Sequence, residues 1–129
     1  MSTRAQVRFA TREAGISFNE HPEKIHAQFY VHSDGYPEGL GLQIADSIEN
    51  YCKVNNWEIE DLQALHGDLE YIYYIWQAYD KGTWISIFEG LGDGSDFECI
   101  FVGTPEKLLT KYGSQLEESY YKLNTNNDG

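Results

Sequence analysis

The chain has 129 residues, of which 41% are hydrophobic and 15% aromatic. This composition argues against a largely disordered protein and suits a single domain. Nine Lys and Arg against 21 Asp and Glu give a formal net charge of −12, which disfavours direct nucleic-acid binding because phosphate contacts need basic side chains. No apolar run is long enough to cross a membrane and no basic leader opens the chain, so we expect a cytoplasmic protein without membrane contact.

Two segments near the start of the chain alternate between apolar and polar residues. In residues 4–10, Ala5, Val7 and Phe9 fall on one face, which predicts a half-buried strand. A polar loop follows, and residues 25–32 then alternate again, with their inward positions at Ile25, Ala27, Phe29 and Val31. We expect these two strands to form an antiparallel pair.

Two helical patterns come next. Pro37 fits the first turn of a helix, where its missing N–H costs nothing. The helix then carries apolar residues at three-and-four spacing as far as Cys52 and is expected to end near residues 55–56. Ile59, Leu62 and Leu65 predict a second, short helix that ends at Gly67.

Strands dominate the second half of the chain. Residues 69–79 are β-branched or aromatic on both faces, which predicts a central strand. A hairpin signal at residues 80–82 leads to a return strand over residues 83–89, and a last strand follows over residues 97–102. Thr104 and Pro105 then predict the N-cap and first position of a final helix.

The predicted order is therefore β-β-α-α-β-β-β-α, in a single domain over residues 1–123. This order indicates an α+β fold, with a single antiparallel sheet of about five strands and two or three helices packed on one face. We expect residues 124–129 to form a disordered tail.

The turn over residues 32–41 is the chain's clearest landmark, with three glycines and a proline between a strand and a helix. Exposed N–H groups at a helix start can hold an anion, but Asp34 and Glu38 already place negative charge there. His32 and Asp34 resemble part of a metal site, yet they lack the third and fourth ligands. We interpret the stretch as a structural turn and predict neither metal nor cofactor.

The cysteines and the remaining histidines show no ligand spacing. Cys52 and Cys99 lie in a predicted helix and a predicted strand and lack a CxxC arrangement, which favours buried free thiols. The acidic loop around Asp93 lacks the pattern of a calcium-binding loop. These residues therefore give no indication of a metal site.

The outward face of the first two strands is one candidate site. We expect a polar and aromatic surface there, which together with the adjoining turn could bind a small molecule or nucleotide, with or without hydrolysis. The ligand-binding residues of this hypothesis are Arg8, His26, Tyr30, His32 and Asp34. The alternative interpretation is that one face of an antiparallel sheet is simply solvated.

The second candidate site is an acidic surface rich in tyrosine. Ten acidic residues and one base lie between Glu58 and Glu98, and ten tyrosines exceed what one small core needs. Tyr and Trp are favoured at protein interfaces, and an acidic face suits a basic partner. The residues proposed to contact that partner are Glu70, Tyr73, Trp76, Asp93 and Asp96. The alternative is that the rings fill the core.

Residues 4–9 (RAQVRF) and 30–39 (YVHSDGYPEG) resemble a pattern, RAxVRF … YxHxDGYPEG, found in small phage and prophage proteins. The resemblance implies a protein that binds and blocks a host or defence protein in the cytoplasm of a bacterial or infected cell, for example in counter-defence. Our first hypothesis is thus a non-enzymatic module that binds a basic protein. The small-molecule site is the alternative, and a homodimer through the edge of the meander is a third hypothesis.

Overall fold

The computed structural model describes residues 3–12, 17, 20–22, 24–50, 57–64, 66–78, 82–91 and 96–113. Its six strands are β1 (Ala5–Thr11), β2 (Lys24–Val31), β3 (Trp57–Glu60), β4 (Tyr71–Ala78), β5 (Gly82–Gly90) and β6 (Phe97–Gly103). A π-helical turn, Pro37–Gly41, runs directly into helix α1 (Leu42–Asn50). Residues 105–113 form helix α2. Within these ranges, no helix has the length and apolar character needed to span a membrane.

All six strands lie in one sheet, in the order β3-β2-β1-β4-β5-β6. The α+β class and the single sheet are therefore confirmed, but the expectation of about five strands, all antiparallel, is wrong. β1 and β4 pair in parallel, with Ala5 opposite Tyr71. After β2 and α1 the chain adds β3 to the outer side of β2, and it then crosses to the other side of β1 to form β4. This crossover from β3 to β4 is what makes the two central strands parallel.

The strand that the sequence does not predict is β3, which lies where a short second helix is expected. Trp57–Glu60 instead pairs antiparallel with β2, with Tyr30 opposite Glu58. The helical spacing of Ile59 and Leu62 is misleading because both side chains are exposed, Ile59 to 76%. Leu65 lies outside the described residues. A four-residue edge strand is specified by its partner rather than by its own periodicity.

Both helices pack against the same face of the sheet, as predicted. Leu40, Ile44 and Ala45 enter this core from the π-helical turn and α1, and Leu108 and Tyr112 enter it from α2. Their partners from the sheet are Ala5, Val7, Val31, Tyr73, Ile75, Ile85 and Ile87. The expected capping of α2 is also present, since the backbone N–H of Lys107 donates to Thr104 Oγ1 at 3.2 Å.

The opposite face of the sheet is covered too, which corrects the prediction of a solvated surface there. Ala10, Ile72, Tyr74, Trp76 and Phe88 form a second buried cluster on this face. The neighbouring amides of Gln6 and Gln28 are also buried, with 0% and 1% of each residue exposed. The alternation of polar and apolar residues in β1 and β2 therefore separates two interior environments, one apolar and one hydrogen-bonded.

A β-bulge changes the register between the first two strands. Phe9 lies opposite Ala27, but the next residue, Ala10, lies opposite Ile25, so His26 is the extra residue. Ile25 packs against the second buried cluster beside Ala10. The prediction that Ile25 shares a face with Ala27 is therefore wrong, because a bulge reverses the alternation that follows it.

The turn between β2 and the first helix has the structure that the sequence predicts. Asp34 adopts a positive φ of 58°, and the N–H of Leu40 donates to its carbonyl oxygen at 2.9 Å. Gly35 lies against β1, where a Cβ atom would meet Ala5 Cβ at 2.8 Å. The hydroxyl of Tyr73 donates to the Gly35 carbonyl. The turn is thus fastened to the sheet at its glycine.

Candidate partner-binding pocket

An open pocket of about 380 Å³ lies where β1 and β4 begin and β5 ends. The turn before α1 forms one side of it, and the segment that leads into β4 forms the other. Its lining residues are Thr3, Tyr36, Gly67, Asp68, Leu69, Glu70, Tyr71, Glu89 and Gly90. We call this set the acidic pocket, because its three charged side chains are all carboxylates.

Backbone hydrogen bonds at the sheet's end position two of these carboxylates. The N–H of Glu70 donates to the carbonyl of Arg4 at 2.9 Å, and the N–H of Gly90 donates to the carbonyl of Glu70 at 2.8 Å. Glu89 lies directly opposite Tyr71 in the antiparallel β4–β5 ladder. Glu70 and Glu89 are therefore held at one end of the sheet by the same ladder that forms its centre.

The acidic pocket carries more negative charge than its neighbours neutralise. Asp68 forms an ion pair with Arg4 at 3.1 Å, but Glu70 and Glu89 are exposed and make no ion pair within the described part of the chain. This negative charge also acts on a nearby tyrosine. Burial and then the charges of Glu89, Glu38 and Glu70 raise the pKa of Tyr71. This end of the sheet therefore has a negative potential.

Two tyrosines give the acidic pocket an aromatic wall. Tyr36 is 39% exposed and comes from the turn before α1, where its hydroxyl donates to Asp34 Oδ1 at 3.4 Å. Tyr71 is partly buried at the start of β4. Aromatic faces and carboxylates both attract cations, so this lining suits an ammonium or guanidinium group.

A partly buried carboxylate, Glu60, lies behind the acidic pocket. Glu60 Oε1 accepts hydrogen bonds from the side-chain amides of Gln6 and Gln28 at 2.8 and 2.9 Å, and Glu60 Oε2 lies 2.7 Å from His66 Nε2. Burial acts to raise the pKa of Glu60, but the hydrogen bonds from His66, Gln28 and Gln6 outweigh it and lower the pKa. We call these four residues the Glu60 network.

The Glu60 network is connected to the acidic pocket through Tyr30. The Tyr30 ring stacks on His66 with 3.9 Å between centroids, and its hydroxyl points to Asp68 Oδ1 at 3.5 Å. The network thus anchors the segment between β3 and β4, which carries Asp68 and Glu70. Sequence reasoning missed Glu60 and His66, because nothing in a single sequence shows that they meet Gln6 and Gln28.

The residues predicted to bind a small molecule do not converge on one site. Arg8 contacts the Tyr74 hydroxyl through Nη1 at 2.8 Å. His26 lies at the bulge, where its Nε2 is 2.6 Å from Thr11 Oγ1. Asp34 serves the turn, as described above. The side chains of the proposed ligand-binding face therefore have separate structural roles and do not form one binding site.

Tyr30 and His32 are the two members of that predicted set that do contact each other. Their rings meet edge to face with 4.5 Å between centroids. His32 Nε2 lies 2.9 Å from Glu58 Oε2 across the β2–β3 edge, and both side chains are more than half exposed. This surface pair fastens the edge strand rather than forming part of a pocket.

The residues predicted to contact a partner differ in where they lie and in how exposed they are. Glu70 lines the acidic pocket, Asp96 is exposed just before β6, and Asp93 lies outside the described residues. Tyr73 and Trp76 are only 0% and 4% exposed, so the prediction that they form a binding surface is wrong. Their alternation along β4 sends one ring into each core, which is the alternative interpretation of the tyrosine surplus.

Tyr36 and Tyr71 are the aromatic residues that line the acidic pocket, and sequence reasoning did not select them. Tyr71 lies at the first position of β4 and is only partly buried against the helix-covered core, whereas Tyr73 is fully buried in it. Tyr36 belongs to the conspicuous turn. Position at the end of an element, beside Glu70, therefore distinguishes Tyr71 from the buried tyrosines of the strand, whereas residue type does not.

Metal and thiol chemistry receive no support from the described residues. Among them, no three His, Cys, Asp or Glu side chains converge in an arrangement that could hold a metal ion. Cys99 is a free thiol, whose pKa is raised by burial, and Cys52 lies outside the described residues. The acidic pocket is consequently the site on which a function is proposed.

No protein-family model, no curated protein and no solved structure matches this chain.

Proposed function

We propose that this protein is a non-enzymatic binding module that captures a basic protein through the acidic pocket. The observation that carries the proposal is the open pair of carboxylates, Glu70 and Glu89, beside the rings of Tyr36 and Tyr71. A lysine or arginine side chain of the partner would enter between the rings and meet the carboxylates. Such a side chain supplies both the charge and the apolar stem that this lining favours.

The charge of the whole chain supports the same kind of partner. A net charge of −12 attracts a basic protein from a distance and accelerates its encounter with the pocket. The short-range contacts then select the side chain that fits. Exposed charge pairs contribute little individually, so we expect the aromatic wall to supply much of the affinity and the carboxylates to supply direction and rate.

The resemblance at residues 4–9 and 30–39 suggests the biological setting. We propose that the protein belongs to the phage or mobile-element type and acts in the cytoplasm of a bacterial or infected cell. There it would bind and inhibit a host or defence protein. Residues 30–39 include Tyr36, so the resembling stretch contributes directly to the acidic pocket.

Capture of partners from a bacterial lysate tests this proposal with a matched control. The test variant is the double substitution Glu70→Gln, Glu89→Gln, and the control is Glu106→Gln, an exposed carboxylate on α2. Each neutralised pocket carboxylate should cost about 0.5–1 kcal/mol, which is about two- to fivefold in affinity. Basic proteins should be retained by the wild type and the control but depleted by the double variant.

Salt provides the second arm of this experiment. Captured basic proteins should be released as salt is raised above physiological strength, because the Debye length shortens. A capture that withstands salt and is equal for all three proteins would contradict the assignment to the acidic pocket. Mass spectrometry of the bound fraction identifies the candidate partners in either case.

A further inference from the structure

A second pocket, of about 430 Å³, lies at the opposite end of the sheet from the acidic pocket, where β1 and β4 end and β5 begins. Its apolar lining includes Phe9, Ile48 and Ile75. Val7 and Phe9 point to the same side of β1, but Val7 is fully buried whereas 38% of Phe9 is exposed. The apolar face of the sheet therefore extends into this pocket, which we call the distal pocket.

Hydrogen-bonding side chains from four strands also line the distal pocket. Thr11 Oγ1 and His26 Nε2 lie 2.6 Å apart. The side-chain amide of Gln77 donates to Thr83 Oγ1 at 2.7 Å. These side chains are exposed or, for Thr83, partly exposed, so a ligand can reach them from solvent. A hydroxyl group has one donor and two acceptor positions, so a single contact leaves it able to bond to a ligand as well.

The β-bulge in β2 directs His26 to this pocket. Strand alternation would place His26 on the same face as Gln28, which belongs to the Glu60 network. His26 is instead the extra residue of the bulge, and its ring reaches Thr11, which lies on the same side of β1 as Phe9. Bulges re-aim side chains in this way beside functional sites. Of the residues that the sequence predicts to bind a small molecule, His26 is the one that lines the distal pocket.

The chemistry of the distal pocket favours an uncharged small molecule. Its described lining contains no Asp, Glu, Lys or Arg, although 23% of the residues in the chain are charged. A charged ligand would lose hydration there without gaining a counter-ion. A second copy of the chain is disfavoured because each copy carries a net charge of −12. The volume lies within the range of small-molecule sites, about 300–1,000 Å³, which are mainly apolar and have a few placed polar groups.

We propose that the distal pocket binds a small, uncharged aromatic compound that carries a hydroxyl group. The ring of the ligand packs against Phe9 and the two isoleucines, since aromatic rings favour edge-to-face and offset contacts with one another. The ligand hydroxyl bonds to Thr11. It is both a donor and an acceptor, so it fits Thr11 whether the threonine hydroxyl donates to His26 or accepts from it. The proposal does not depend on the function proposed for the acidic pocket.

NMR of isoleucine methyl groups tests the pocket in the wild-type protein, with phenol as the probe. Phenol should shift the signals of Ile48 and Ile75 in a saturable manner, while Ile59 stays in place. Ile59 lies on β3 outside the distal pocket and is 76% exposed, so it reports non-specific contact with apolar side chains. Unchanged Ile48 and Ile75 signals, or an equal shift at Ile59, would overturn the proposal.

A charged analogue tests the class of ligand. Benzoate has a carboxylate in place of the hydroxyl group of phenol, and it should shift Ile48 and Ile75 less than phenol does at equal concentration. A stronger effect of benzoate would overturn the assignment to an uncharged compound.

A pair of ligands and a pair of variants test the hydroxyl contact. Thr11→Val keeps the branched shape but removes the hydroxyl group, and it should weaken phenol binding about two- to tenfold while leaving the binding of toluene, which has no hydroxyl group, unchanged. Thr110→Val, at an exposed position on α2, is the matched control and should leave both ligands unaffected. If Thr11→Val binds phenol as well as the wild type does, or loses both ligands equally, the proposed contact is wrong.

Discussion

Replacing Glu60 with alanine should leave two buried glutamine side chains without the acceptor that both of them use. In the folded protein, the side-chain amides of Gln6 and Gln28 donate to Glu60 Oε1 at 2.8 and 2.9 Å. The contacts that each amide would retain with the Ala64 carbonyl are long, at 3.4 Å. Both glutamines are almost fully buried, so water cannot readily replace the lost acceptor.

The expected cost follows from these contacts. An unsatisfied buried donor costs about 1–3 kcal/mol, so losing the acceptor for two amides should lower the free energy of unfolding by about 2–6 kcal/mol. The matched control is Glu58→Ala, since Glu58 belongs to the same strand and also pairs with a histidine. Its pair with His32 is more than half exposed on both sides, so its loss should cost less than about 1 kcal/mol.

Equilibrium unfolding in urea, followed by tryptophan fluorescence, measures both variants against the wild type. Glu60→Gln is a second comparison, because it keeps the volume and one acceptor oxygen, and it should lie between the other two. The reasoning is refuted if Glu60→Ala and Glu58→Ala reduce the free energy of unfolding equally. That result would mean that the Glu60 network contributes no more than a surface pair.

Acid should reveal the same network. The pKa of Glu60 is lowered in the folded state from its ordinary value of 4.5. Its ionised form therefore contributes stability that is fully present above pH 4.5 and is lost as the pH falls through the lowered pKa. Over that range the wild type should lose stability more steeply than Glu60→Gln, and parallel curves would contradict the assignment.

Three smaller predictions test the turn and the core. Gly35→Ala should lower the thermal midpoint, because the added Cβ would meet Ala5 Cβ at 2.8 Å, whereas Gly67→Ala, with nothing within 4 Å, should not; equal midpoints would contradict this. Tyr73→Phe should cost about 1 kcal/mol in urea unfolding by removing the hydrogen bond to the Gly35 carbonyl, and no cost would disprove that role. Cys99 should react slowly with a thiol reagent until the protein unfolds, because burial raises its pKa.

Much of the fold could be predicted from local patterns, because the forces behind those patterns act between neighbouring residues. The alternation in β1, the two-faced apolar run of β4 and the capped start of α2 each reflect forces within a few residues. The parallel pairing of β1 with β4 could not be predicted, because it joins segments more than 60 residues apart. β3 was missed for the same reason, since Trp57–Glu60 becomes a strand only beside β2.

The candidate site was predictable only in part. Glu70 was selected for its charge and does line the acidic pocket. Tyr73 and Trp76 were selected for residue type, but strand alternation and the two cores determine their burial. Tyr73 is fully buried and Tyr71 only partly, and this difference comes from packing around β4. Its sequence signal is limited to the position of Tyr71 beside Glu70.

The most direct test of the central proposal is an NMR titration of the isotope-labelled protein with a short lysine-rich peptide. The account predicts that amide signals shift chiefly at Tyr36, at residues 67–71 and at Glu89 and Gly90, which together line the acidic pocket. These shifts should disappear in the Glu70→Gln, Glu89→Gln double variant. Shifts spread evenly over exposed carboxylates such as Glu106, or unchanged in the double variant, would contradict a specific pocket for a basic partner.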